Sequence, residues 1–123
     1  MEPTAPAFYK IIPALPSRDV PRAARHYADA LGFTLAELKG DAFASVGRGP
    51  VAEVNLYLRK AAAPFTPAEC YVFVDDPDAL HAAYATTGAR IVAPPRDTPW
   101  GFRQFTVADL DGHRLHLFRF LDD

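Results

Sequence analysis

The chain has 123 residues, half of them apolar and 12 % aromatic, enough for one domain with a core of its own. Its net charge of -2, with both signs interspersed, excludes the basic stripe of a nucleic-acid binder. Cys70 is the sole cysteine, so the chain can form neither an internal disulfide nor a thiolate metal cluster. No apolar run approaches the ~18 residues of a membrane span, and the opening residues lack the basic start and apolar stretch of a secretory signal; a cytoplasmic location is expected.

In chain order, a proline-rich start (residues 1–7), expected to fray, leads to a predicted strand over 9–15. A helix follows, with Asp19 as N-cap, Pro21 in its first turn and Gly32 after its last. Val20, Ala24, Tyr27, Ala28 and Leu31 give it one apolar face. Strands are predicted over 33–38, 42–46 and 51–59, and residues 60–68, with Pro64 and Pro67, read as a linker. The second half repeats the first. Asp75, Pro77, Ala79 and Gly88 stand 56 positions after Asp19, Pro21, Ala23 and Gly32. Asp75 or Asp76 caps a second helix with Leu80, Ala83, Tyr84 and Thr87 on its apolar face. A strand over 69–74 precedes that helix, and strands over 90–93, 102–108 and 114–120 follow it. The chain therefore reads as two βαβββ modules, about 9–59 and 69–120, within one domain over 1–123.

Alternation sorts the strand faces. Ala52, Val54, Leu56 and Leu58 oppose Glu53, Asn55 and Tyr57. Cys70, Val72 and Val74 oppose Glu69, Tyr71 and Phe73. Leu115 and Leu117 oppose His116, Phe118 and Phe120. One face of each strand is aliphatic and suits packing under a helix; the other mixes aromatics with sparse polar groups, the make-up of a ligand cleft. The expected cleft residues are Phe43, Asn55, Tyr57, Glu69, Tyr71, Phe73, Trp100, Phe102, Gln104, His116 and Phe118. Trp100, between Pro99 and Gly101, is a stacking plate on a loop, and Glu53 and Glu69 favour a cationic ligand.

Other chemistries are poorly represented. The chain has no GxSxG elbow, Walker loop or dinucleotide fingerprint. Cys70 falls on an aliphatic face as an inert thiol. His26, His81 and His113 are expected at the surface, as are Arg22, Arg25, Arg114 and Arg119.

The segments PALPSRDVPRAARHYADALGF (13–33) and PWGFRQFTVADLDGHRLHLF (99–118) carry a resemblance to the glyoxalase, bleomycin resistance and extradiol dioxygenase superfamily, also called vicinal-oxygen-chelate proteins. The PWG triplet, alternating strand and DLDG turn resemble its bleomycin-resistance branch, with Leu110 where DPDG is usual. The resemblance implies an α+β fold in which two βαβββ modules form a curled mixed-sheet cleft, and a homodimer with clefts shared between subunits. In the superfamily's catalytic members four strands supply metal ligands. The corresponding positions here are Ile12, Asn55, Glu69 (or Ala68, one residue away) and His116. Isoleucine has no lone pair and a neutral amide oxygen is a poor zinc, iron or nickel ligand. Only Glu69 and His116 are competent, too few for a stable centre, so no metal cofactor is expected. The resulting expectation is a non-catalytic protein sequestering a planar, optionally cationic organic ligand such as a bleomycin-type antibiotic. The alternatives are a metal-dependent glyoxalase-type lyase or dioxygenase, and a metabolite-sensing or accessory domain.

Overall fold

A computed structural model describes residues 5–49 and 53–122. The elements run β1 (Ala14–Ser17), α1 (Val20–Asp29), β2 (Thr34–Lys39), β3 (Phe43–Arg48), β4 (Val54–Lys60), β5 (Glu69–Phe73), α2 (Pro77–Tyr84), β6 (Arg90–Asp97), β7 (Phe102–Ala108) and β8 (Arg114–Phe120). They form two four-stranded sheets of equivalent order, β1-β4-β3-β2 and β5-β8-β7-β6. In each, the strand before the helix pairs in parallel with the module's last strand, and the other pairings are antiparallel. No helix among the described residues is long and apolar enough to cross a membrane.

Both helices start as their sequences dictate. The Asp19 carboxylate accepts the Arg22 N–H (3.2 Å), and that of Asp76, rather than Asp75, accepts the Ala79 N–H (3.0 Å). Helix α1 buries Val20, Ala23, Ala24 and Tyr27, whereas α2 buries only Pro77 and Tyr84. The aliphatic faces of both sheets meet the helices in one core that includes Leu56, Leu58, Phe105, Val107, Leu115 and Leu117, with Cys70, Val72 and Val74 half-buried against it.

Two strands depart from expectation, and the expected start of a third is not described. The first was expected over 9–15 but begins at Ala14, and Tyr9, 93 % exposed, lies outside it. Its pairing with β4 starts at Ala14 opposite Tyr57, just after Pro13, which has no N–H to donate to a ladder, and Pro16 is tolerated because β1 is a sheet edge. Strand β6 continues through Pro94 and Pro95 to Asp97 for the same reason: it is an edge strand, and its register shifts around those prolines. Strand β4 is described only from Val54; the expected start at Val51 and Ala52 lies outside the described residues.

Polar contacts lock the modules together. The Tyr27 hydroxyl donates to Asp109 Oδ2 (2.7 Å), that of Tyr84 to the Leu31 carbonyl (2.7 Å), and that of Thr87 to the Ala30 carbonyl (2.7 Å). Asp109 explains the DLDG turn. Its other oxygen accepts the N–H groups of Asp111 (2.9 Å) and His113 (3.0 Å), and Gly112 takes φ +84° with Pro67 Cγ only 3.3 Å from where a Cβ would stand. His113 is buried at 1 % exposure and not at the surface. The Ala68 N–H donates to its Nδ1 (2.8 Å) and its Nε2 reaches the Pro16 carbonyl (2.7 Å), which fixes the neutral Nε2–H tautomer. His26 and His81 are likewise half-buried, the latter with its ring edge-on to Phe105.

Candidate functional site: the helix-free face of the second sheet

Strand alternation places Tyr71 and Phe73 of β5, Phe102, Gln104 and Thr106 of β7, and His116, Phe118 and Phe120 of β8 on the face away from the helices. The register sets Tyr71 beside His116, Phe73 and Gln104 beside Phe118, Thr106 beside His116, and Phe102 beside Phe120. The rings form a continuous sheet of contacts. Phe102 stacks on Phe118 at 4.3 Å and 20°, Tyr71 covers His116 at 4.6 Å, and Phe73 and Phe120 flank Phe118 at 5.6 and 5.5 Å. A cavity of about 420 Å³ opens here between Tyr71, Trp100, Phe102 and Phe118, within the range of small-molecule sites. Trp100 stands in the β6–β7 turn, with the Arg96 guanidinium 5.6 Å from its ring.

Beneath the rings runs a short polar chain. The Thr106 hydroxyl lies 2.7 Å from His116 Nδ1, and His116 Nε2 lies 2.7 Å from Glu69 Oε1. An ionised carboxylate only accepts, so Nε2 donates to Glu69 and, in the neutral ring, Nδ1 accepts from Thr106. Glu69 remains largely exposed at the rim. Gln104, only 3 % exposed, lies under the rings with its amide oxygen unpartnered among the described residues.

The remaining expected residues are elsewhere. Phe43, Asn55 and Tyr57 lie on the first sheet, where Phe43 meets Tyr57 edge-on at 5.0 Å and the Ser45 hydroxyl donates to Asn55 Oδ1 (3.1 Å). Glu53 precedes β4 and lines a cavity with Arg48, Val72, Val74 and Tyr84, residues of the junction between the modules, so it does not share the aromatic face. Thr106 and Arg96 were not anticipated. Alternation from Phe102 through Gln104 points to Thr106, but Arg96 is brought to Trp100 only by the turn.

The metal ligands do not assemble within the chain. Asn55 already accepts from Ser45, it lies on a different sheet from Glu69 and His116, and these two are bonded to each other. Among the described residues no group of three or more histidines, cysteines, aspartates or glutamates could hold a metal ion. Within one chain, then, these donors are not brought together as a metal centre requires. Cys70 is half-buried, and burial pushes its thiol pKa up, away from the reactive thiolate.

With its paired sheets, the chain has the architecture of a two-module α+β fold. The model of the glyoxalase/bleomycin resistance protein/dioxygenase superfamily matches residues 13–117, and the chain belongs to that superfamily. Among solved structures it is similar to the bleomycin-binding protein from bleomycin-producing Streptomyces verticillus complexed with copper(II)-bleomycin. The identity is 28 % and the TM-score 0.77, over 94 % of this chain and 98 % of that one. It is also similar to TioX from Micromonospora sp. ML1, at 26 % identity and a TM-score of 0.74, over 93 % of this chain and 100 % of that one. A glyoxalase/bleomycin resistance protein/dioxygenase from Nocardioides, 21 % identical with a TM-score of 0.74 over 96 % of this chain and 87 % of that one, shares the fold. No curated protein matches by sequence.

Proposed function

We propose that this protein binds and sequesters a planar organic ligand, of the bleomycin type, without chemically altering it, and that the second sheet's aromatic face is where the ligand lies. One observation carries the proposal: Tyr71 (53 %), Phe73 (62 %), Trp100 (52 %) and Phe120 (54 %) all stay exposed on one helix-free face. Exposed apolar patches of this kind mark ligand grooves or interfaces. The similarity to a protein solved with copper(II)-bleomycin supports the choice of ligand. Stacking on Trp100 and Phe102 supplies most of the affinity. Glu69, exposed at the rim and held by His116 Nε2, adds attraction for a cationic group and orients the bound molecule. In the homodimer that the superfamily leads us to expect, the partner's first-sheet face, with its copies of Phe43, Asn55 and Tyr57, closes the cleft. The proposed setting is the cytoplasm, and antibiotic resistance the proposed role.

The test is a titration of copper-free and copper-loaded bleomycin into the protein, read by the fluorescence of Trp100, the chain's single tryptophan. Saturable quenching at one drug per chain is expected. Trp100→Ala, followed by calorimetry, should weaken binding on the order of 30-fold, the effect of losing a central aromatic anchor. Unchanged affinity in that variant would sink the proposal.

A further inference from the structure

A second cavity, of about 190 Å³, lies between the start of α1, the start of β6 and the DLDG turn, lined by Arg18, Asp19, Arg22, Arg90, Leu110 and Asp111. It shares no residue with the aromatic face. Its volume is well above the ~10–15 Å³ that one water requires, so a tetrahedral oxyanion fits.

The charges in this cavity are unevenly satisfied. Asp111 Oδ1 accepts the Arg18 backbone N–H (2.9 Å) and its guanidinium (3.4 Å), and Asp19 accepts the Arg22 N–H as helix cap. Both carboxylates are thus held by backbone donors. The guanidiniums of Arg22 and Arg90 have no carboxylate partner among the described residues. One turn beyond Arg22 on α1, the buried His26 Nε2 also has no partner among the described residues. Burial lowers the His26 pKa, and the positive charge of Arg90 lowers it further, against smaller opposing effects of Asp109 and Asp29. The arginines come from both modules, so only the folded chain assembles them.

We propose that this intermodule cavity is a binding site for a phosphate group, free or as the terminal group of a phosphorylated small molecule, held by Arg22 and Arg90 with Arg18 at its edge. The cavity's three guanidiniums outnumber its two carboxylates by one, and a phosphate has enough oxygens to accept from both Arg22 and Arg90, where a carboxylate has only two. Each guanidinium can present a fork of N–H donors to phosphate oxygens. The site is independent of the aromatic face, and its occupancy does not depend on what that face binds.

The test adds inorganic phosphate, glycerol phosphate or acetate to the full chain at matched ionic strength. The readouts are calorimetry and the NMR titration of the His26 ring. Phosphate should bind saturably in the millimolar range and raise the His26 pKa, because the anion offsets Arg90; acetate should bind more weakly. The double variant Arg22→Ala/Arg90→Ala should lose about tenfold or more in phosphate affinity. Arg25→Ala, on the same helix but outside the cavity, should keep it. Tighter binding of glycerol phosphate would identify an organic phosphate as the ligand, and equal binding the free ion. Absence of saturation by phosphate, undiminished binding in the double variant, or an equal loss in Arg25→Ala would each overturn the proposal.

Discussion

The two sheets share strand order and pairing sense, yet their helix-free faces differ. The first carries Phe43 against Tyr57 and a Ser45–Asn55 hydrogen bond. The second carries five mutually contacting aromatic rings over a Thr106–His116–Glu69 chain. The aliphatic sides of both sheets are conserved in character because each must bury a helix. The outer sides are under no such requirement, so one is free to become a platform. The duplication that gives the fold its symmetry leaves the two outer faces free to diverge.

The sharpest way to break this comparison is to truncate one aromatic on each face. Phe118→Ala removes a nearly buried ring that touches four others, and should cost about 3 kcal/mol of stability as well as ligand binding. Tyr57→Ala, on a half-buried ring touching Phe43, should cost about half as much. Urea denaturation measures both, and equal losses would mean that the faces are energetically alike.

The next effect concerns the junction between modules. Tyr27→Phe leaves Asp109 one donor short and should cost about 1–3 kcal/mol in the same assay. It should also change the alkaline limb of stability. Burial first, and then the charge of and hydrogen bond to Asp109, hold the Tyr27 hydroxyl well above the ordinary phenol range. The unfolded chain therefore ionises this group from about pH 10 while the folded chain does not. Stability contributed by the neutral hydroxyl is present below that pH and is lost as pH rises toward the folded value. Wild type should lose stability more steeply than Tyr27→Phe above about pH 10, as thermal melts across pH would report.

The smallest effect separates the helices. Asp19→Ala and Asp76→Ala each remove one N-cap, for about 1 kcal/mol. Loss of the Asp76 cap should fray α2 further, because α2 is shorter and buries only Pro77 and Tyr84. Amide exchange in each helix distinguishes the two.

The amino-acid sequence by itself determined the elements and the sorting of their faces. Asp19 and one of Asp75 and Asp76 cap helices because a short carboxylate in extended backbone reaches the N–H three residues on, and alternation put Leu56, Leu58, Leu115 and Leu117 inward because strand side chains repeat every second residue. The same period sorted Tyr71 with Phe73, Phe102 with Gln104, and His116 with Phe118 within their strands, and the pairing of β5, β8 and β7 set the three pairs on one face. Local patterns could not say that Phe43, Asn55 and Tyr57 belong to a different sheet, that prolines would be absorbed by the edge strands β1 and β6, or that His113 would be buried between Ala68 and Pro16. Those depend on pairings between residues far apart in the chain, such as Tyr27 with Asp109 and Arg22 with Arg90 across one cavity. Only tertiary structure decides them, because sequence periodicity records which way a side chain faces within its own element and carries no information about what another element sets opposite it.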